Sequence, residues 1–199
     1  MELLKEVSAD WQRLLFKDAR TFNSWRPEPV PAALLREVYE LAKFGPTSAN
    51  CSPMRIVFVT SATGKERLLA AVSPGNAAKT RAAPVTAVLG YDLHFYERMP
   101  ELFPHNPKAG AAFATDAGKA QETAFRNASL QGAYFIVAAR GLGLDCGPMS
   151  GFDRDKVEAA FFPGSQVRAN FLCNLGYGDR DGLFGRHPRL AFDDVCRFA

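Results

Sequence analysis

Between Ala117 and Arg140 the sequence predicts one long helix whose apolar residues leave almost no polar side. Ala124, Phe125, Ala128, Leu130, Ala133, Tyr134, Ile136, Val137 and Ala138 surround nearly its whole circumference. A helix apolar on most sides must be buried on most sides. In a chain of 199 residues that leaves two places for it, the centre of the monomer or a subunit interface. The small residues Ala128, Ser129, Gly132 and Ala133 would let another helix approach closely. The length and the 47% hydrophobic content suit one substantial core, so the chain 1–199 is expected to form a single domain.

Other elements follow from spacing and caps. Trp11, Leu14 and Leu15 recur at helical intervals within 8–18. Leu34, Leu35, Val38, Leu41 and Ala42 make one stripe in a helix over 31–44, with Gly45 as its stop. Residues 54–60 and 84–91 are continuous apolar runs of the kind found in strands buried on both faces. Thr63 and Glu66 form a capping-box pattern for a helix to Ala71, and Asp153 is placed to cap a helix to Phe161. Val167, Ala169, Phe171, Cys173 and Leu175 alternate with Arg168, Asn170 and Asn174, a strand with one more polar face. The stretch 73–83 reads as a polar connection, and 92–115 as a short helix followed by an excursion.

Several function classes drop out. The formal charge is +3, and the arginines are scattered rather than striped, so nucleic acid is not implied. No apolar run approaches membrane-spanning length, and MELLKEVSADWQRLLFKDAR lacks a cationic head followed by an apolar signal core. The expected location is the cytoplasm. Cys51, Cys146, Cys173 and Cys196 show no CxxC spacing, and His94, His105 and His187 form no ligand cluster, so no metal site is expected. GLGLDCG looks like a dinucleotide loop but follows a helix instead of a strand, which excludes the Rossmann geometry.

Candidate chemistry gathers in loops. GPTSANCSP, ahead of the first strand, crowds Thr47, Ser48, Asn50 and Ser52 between two prolines; such a loop presents its backbone and short side chains, or simply connects. Arg20 followed by Thr21, Asn23 and Ser24 suits a phosphate, or satisfies nearby carbonyls or Asp18. Asn76 and Lys79 stand three apart before the second strand. GPMSGFD opens its backbone through Gly147, Pro148 and Gly151. Arg180, Arg186, His187 and Arg189 form a basic cluster near the end, a pattern that is most often solvated surface. No convincing nucleophile or acid and base pair appears.

Taken together, ARTFNSW, GPTSANCSP, SPGNAAK, FRNASLQGAYFIVAARGLGL, GPMSGFD and LGYGDRDGLFGRHPRL resemble, in order and over nearly the whole chain, the FMN-dependent nitroreductase superfamily. DARTFNSWR, FGPTSANCSPMRIVF and LDCGPMSGFDR look most similar to its branch described as malonic semialdehyde reductase of the Rut pyrimidine-degradation pathway, or as an NADH dehydrogenase/NAD(P)H nitroreductase.

The resemblance implies an α+β fold with a mostly antiparallel central sheet flanked by helices, assembled as a two-fold homodimer with FMN at the interface. By carry-over Arg20 and Arg189 neutralise the FMN phosphate, assisted by Thr21, Asn23 and Arg186. Thr47, Ser48 and Asn50 contact the ribityl chain and the ring. Asn76 and Lys79 reach the pyrimidine edge, and the N–H groups of Ser150 and Gly151 approach N5 and O4. Ala19, Asn23 and His187 stand where many relatives carry basic residues, which thins the phosphate anchor, and Ser52 replaces a common Gln, which removes the contact that Gln makes. The implied activity is hydride transfer from NADH or NADPH through FMN to an acceptor: malonic semialdehyde, a nitroaromatic or a quinone. A non-catalytic FMN-binding protein is the alternative of another class.

Overall fold

The computed structural model describes residues 9–199. Its centre is one antiparallel sheet of β1 (Met54–Val59), β2 (Val85–Asp92), β3 (Asp145–Met149) and β4 (Val167–Gly176), in the order β1-β2-β4-β3. The helices are α1 (Ala9–Gln12), α2 (Ala32–Ala42), α3 (Ala62–Leu69), α4 (Pro74–Ala82), α5 (Met99–Leu102), α6 (Ala111–Ala114), α7 (Ala117–Gly141), α8 (Arg154–Phe161) and α9 (Phe192–Val195). The expected helix over 8–18 begins outside the described residues; its described part is α1, running on into a wider π-type turn over Arg13–Lys17.

Side chains alternate along each strand, and both faces of the sheet are covered. Val85, Ala87, Leu89 and Tyr91 of β2 join Cys173 and Leu175 of β4 beneath α7 and α2. Val88, Met149 and Leu172 point the other way, to Leu68 of α3 and Val157 of α8. Double coverage is why β1 and β2 read as unbroken apolar runs. It also changes the reading of β4: Asn174, expected on a polar face, is fully buried and accepts a hydrogen bond from the Thr86 hydroxyl at 2.7 Å.

Helix α7 crosses all four strands. Its buried stripe is Ala120, Ala124, Asn127, Ala128, Gln131, Gly132, Phe135 and Ala139, while Phe125, Leu130 and Tyr134 stay exposed. Of the small residues, Ala128 and Gly132 belong to that buried stripe, whereas Ser129 is half-buried and Ala133 exposed. A Cβ on Gly132 would lie 2.6 Å from the Phe171 ring of β4, so the close approach is to the sheet.

Three local readings change. Residues 74–82 form α4, with Pro74 at its first turn, where a missing N–H costs nothing. Asp145–Met149, within the expected loop 141–153, is the edge strand β3. The cap of α3 is Ser61, whose hydroxyl accepts the Gly64 N–H at 3.1 Å, two residues before the expected Thr63. Between β2 and α7 the chain makes a short 3₁₀ turn over Phe95–Arg98, then α5 and α6, anchored by the fully buried Phe95 against Phe113.

Gln131 accepts the Met54 N–H at 2.9 Å at the entry to β1. Gln131→Leu leaves that buried donor unpaired and should destabilise the protein by about 1–3 kcal/mol. Urea unfolding at unchanged m-value measures it.

Candidate active site

The turn between α2 and β1 is held in an uncommon backbone state. Ala49, Asn50 and Ser52 have φ of 49°, 50° and 38°, the left-handed region that side chains with a Cβ avoid. Each costs on the order of 1 kcal/mol or more, so the surroundings must fix the turn. They do so through α7 and the turn itself: Asn127 Oδ1 accepts the Ser48 N–H at 2.8 Å, and Thr47 Oγ1 accepts the Ser52 N–H at 3.2 Å. Asn50 Nδ2 donates to the Leu102 carbonyl at 2.8 Å, tying the turn to α5. Ser48 and Asn50 are exposed and Thr47 half-buried, so the short polar side chains are presented outward. Beneath them Cys51 is buried, and burial pushes its thiol up to about 11.

A second group forms a cleft of about 570 Å³, lined by Arg20, Thr21, Asn23, Arg140, Arg186, His187 and Arg189, with Phe16, Ala19, Phe184 and Gly185. The segment from Arg20 reaches it because the Phe22 N–H bonds the Cys146 carbonyl at 3.0 Å and Phe22 is buried. No carboxylate lines the cleft among the described residues. Asp18, a possible partner for Arg20, is paired with Arg13 at 2.8 Å instead. Arg20 donates to the Phe184 carbonyl, Arg186 to the carbonyls of Lys17 and Ala19 at 2.7 and 2.8 Å, and Arg189 to those of His187 and Pro188 at 3.0 and 3.1 Å. Neutral acceptors orient these guanidiniums without cancelling their charge.

Arg140 was not singled out by the sequence analysis. It enters the cleft from the last turn of α7, with Nη1 on the Leu15 carbonyl at 3.1 Å and Nε buried without a partner among the described residues. The available signal was a lone arginine in the last turn of an otherwise apolar helix end. A buried unpaired donor beside three further guanidiniums is an anion site in waiting.

The third group lies at the far end of β3. Asn76 Nδ2 donates to the Gly151 carbonyl at 2.8 Å, and the Ser73 N–H reaches the same carbonyl at 3.0 Å. A Cβ on Gly151 would sit 2.6 Å from Asn76 Nδ2, so only glycine permits this contact. Ser150 beside it is exposed. Lys79 is three residues beyond Asn76, on the same side of α4. It is half-buried, and its ammonium makes no hydrogen bond or ion pair to a described residue.

The structure therefore gathers Arg20, Thr21, Asn23, Arg186 and Arg189 at one end of β3, and Asn76 with Gly151 at the other. Thr47, Ser48 and Asn50 form a separate turn that does not line the basic cleft.

At pH 8 native protein should expose one fast-reacting thiol, that of Cys196, because Cys51, Cys146 and Cys173 are buried. With its pKa near 11, Cys51 is thiolate to only about one part in a thousand at that pH. Labelling with a disulfide reagent followed by peptide mass spectrometry checks this; rapid modification of Cys51 would contradict it.

Comparison with known proteins agrees with this architecture. Residues 18–177 match the model of the nitroreductase family. A protein of Cupriavidus pinatubonensis, provisionally named NADH dehydrogenase/NAD(P)H nitroreductase, is 55% identical over 187 residues, covering 93% of this chain and 95% of the relative. A protein of the same provisional name from Polynucleobacter asymbioticus is 58% identical over 183 residues, 92% of this chain and 93% of the relative. Among solved structures, a provisionally described nitroreductase of Bacillus subtilis superposes with a TM-score of 0.87 at 20% identity, covering 96% of this chain and 99% of the other. One from Exiguobacterium sibiricum, in complex with FMN, gives 0.85 at 16% identity over 96% of this chain and 98% of the other. At such identities the two superpositions carry the fold alone.

Proposed function

The chain belongs to the nitroreductase family, and from that premise we propose that it is an FMN-dependent NAD(P)H oxidoreductase acting as a two-fold homodimer. The observation that carries the reading is the cleft that, among the described residues, gathers four arginines and no carboxylate and leaves the buried Arg140 Nε without a partner. A phosphate fits that donor set: it is dianionic, accepts from several directions, and supplies the missing acceptor. FMN supplies the chemistry when bound, taking a hydride from NADH or NADPH and passing electrons to an acceptor.

In this reading Arg20, Arg186 and Arg189, with Thr21 and Asn23, hold the phosphate. The Ser150 and Gly151 N–H groups, brought close because Gly151 has no Cβ, bind the N5 and O4 side of the ring. Asn76 and Lys79 serve its pyrimidine edge, where the unpaired Lys79 ammonium favours negative charge. The apolar residues Tyr39 and Leu41 of α2, Phe44 just beyond its end, and Phe125, Leu130 and Tyr134 of α7 are exposed on two helices that pack together. A second copy would cover this face. The Thr47–Asn50 turn follows α2 directly, so dimerisation would bring Thr47, Ser48 and Asn50 to a cofactor at the interface.

For the acceptor we propose malonic semialdehyde, reduced to 3-hydroxypropionate, on the wording of the motifs around Arg20, Ser48 and Gly151. A nitroaromatic or quinone is the second reading. It is favoured by the chemistry of Ser150, Asn76 and Lys79 beside Gly151, which offer no carboxylic acid or histidine to protonate a carbonyl, while the Asp153 carboxylate nearby is taken up in capping α8.

Anaerobic addition of NADH or NADPH should bleach the yellow protein, and an acceptor panel then separates the aldehyde from nitroaromatics and quinones. Protein that binds FMN but stays oxidised with both nicotinamides would be a binding protein, and protein that takes up no FMN would refute the flavin reading. Arg20→Ala or Arg189→Ala should weaken FMN, relative to riboflavin, by about 1.5–3 kcal/mol for one lost charged hydrogen bond. Equal losses for the two ligands would place the phosphate elsewhere.

A further inference from the structure

Lys65 is a half-buried cation with no anion paired to it among the described residues. From α3 its ammonium donates to the Thr80 carbonyl, the Ala83 carbonyl and Thr86 Oγ1, each at 3.0 Å. Those three bonds use its whole donor capacity. No ion pair involves it among the described residues, and burial alone pushes its pKa down to about 8. Holding an ammonium there is costly, and a solvated surface lysine would avoid the cost.

The acceptors indicate what the cation secures. Thr80 and Ala83 end α4, whose terminal carbonyls have no helical partner and carry the negative end of the helix dipole. Thr80 directly follows Lys79, and its hydroxyl contacts Met149 Sδ at 3.6 Å, just before Ser150 and Gly151. Near its other end α4 is tied to Gly151 through Asn76 at 2.8 Å. Thr86 passes the connection on to Asn174 at 2.7 Å, across β2 into β4. Two tethers thus fix α4 over the sheet, with Lys79 between them.

We propose that Lys65 is a positioning residue: by clamping the last turn of α4 to β2 it holds the Lys79 ammonium at the pyrimidine edge of the cofactor. The assignment rests on the FMN reading of this site. A rigid Lys79 interacts more strongly with charge developing at that edge than a solvated, mobile one, because less reorganisation accompanies the change. The clamp thus acts on the redox equilibrium through Lys79.

The test is a double-mutant cycle on the two-electron midpoint potential of bound FMN, measured at full occupancy for wild type, Lys65→Met, Lys79→Met and the double variant. Lys65→Met should lower the preference for reduced over oxidised FMN by about three- to ten-fold, or about 15–30 mV. In the Lys79→Met background the same change should produce less than about a two-fold effect. In the apoprotein, Lys65→Met should speed hydrogen exchange at residues 76–83. An unchanged potential, an equal shift in both backgrounds, or unaltered exchange would each overturn the proposal while leaving the flavin reading intact. Failure of the wild type to bind FMN would instead refute the flavin reading, and this proposal with it. If Lys65→Met does not accumulate, Thr86→Val removes one of the three acceptors, keeps the lysine, and should give a smaller shift in the same direction under the same criteria.

Discussion

Two buried amides on α7 govern how the molecule is assembled around its candidate site. Asn127 and Gln131 lie one helical turn apart, within a stripe otherwise made of alanine, glycine and phenylalanine, and accept the N–H groups of Ser48 and Met54. A buried polar side chain without a partner costs about 1–3 kcal/mol, so helix and turn constrain each other. The left-handed residues Ala49, Asn50 and Ser52 would relax in an isolated peptide. They persist because α7 fixes both ends of the segment that contains them. Since α7 also packs on every strand, the turn inherits the rigidity of the sheet.

A second regularity concerns charge. Many surface cations have anionic neighbours, as in Arg98 with Glu101 or Arg126 with Glu122, and exposed pairs of this kind contribute little stability. The cations around β3 are different. Arg20, Arg186 and Arg189 lean on carbonyls, Lys65 on two carbonyls and a hydroxyl, and Lys79 on no described residue. Carbonyl partners set direction while leaving the charge uncompensated. Uncompensated positive charge is therefore left in the basic cleft and on α4, the two places that the proposal assigns to the phosphate and to the ring edge of the cofactor.

The elements legible in the sequence were those whose apolar residues carry a period. The stripe of α2, the long run of α7, the continuous β1 and β2, and the Asp153 cap of α8 all survive in the structure. Helix α4 was missed because PGNAAKTRA has only alanines for an apolar face, leaving Ser73 and Pro74 as a start signal without a stripe. Strand β3 was hidden by Gly147 and Pro148, residues that weaken an isolated strand. Gly147 is nevertheless required there, since a Cβ would lie 2.6 Å from the Phe22 carbonyl. The basic cleft was partly legible because Arg20 and the basic tail stand in polar segments. Arg140 and Lys65 were not, because each belongs by sequence to an ordinary helix, and only tertiary packing half-buries it and turns its donors onto carbonyls.

The same packing explains why the candidate site is divided within one chain. An edge strand separates the basic cleft from Asn76 and Gly151, while the turn carrying Thr47, Ser48 and Asn50 lies beside the exposed aromatic face of α2 and α7. Tyr134 belongs to both features. It is half exposed on that face, yet its ring would lie only 2.5 Å from a Cβ on Gly45, so it packs directly on the backbone that leads into the turn. Covering Tyr134 with a second copy, as proposed, would restrict its motion and that of the Gly45 backbone together. Association would thereby stiffen the strained turn through an aromatic contact already present in the monomer. The affinity of the dimer and the order of the turn should then be linked quantities, each raising the other by the same free energy.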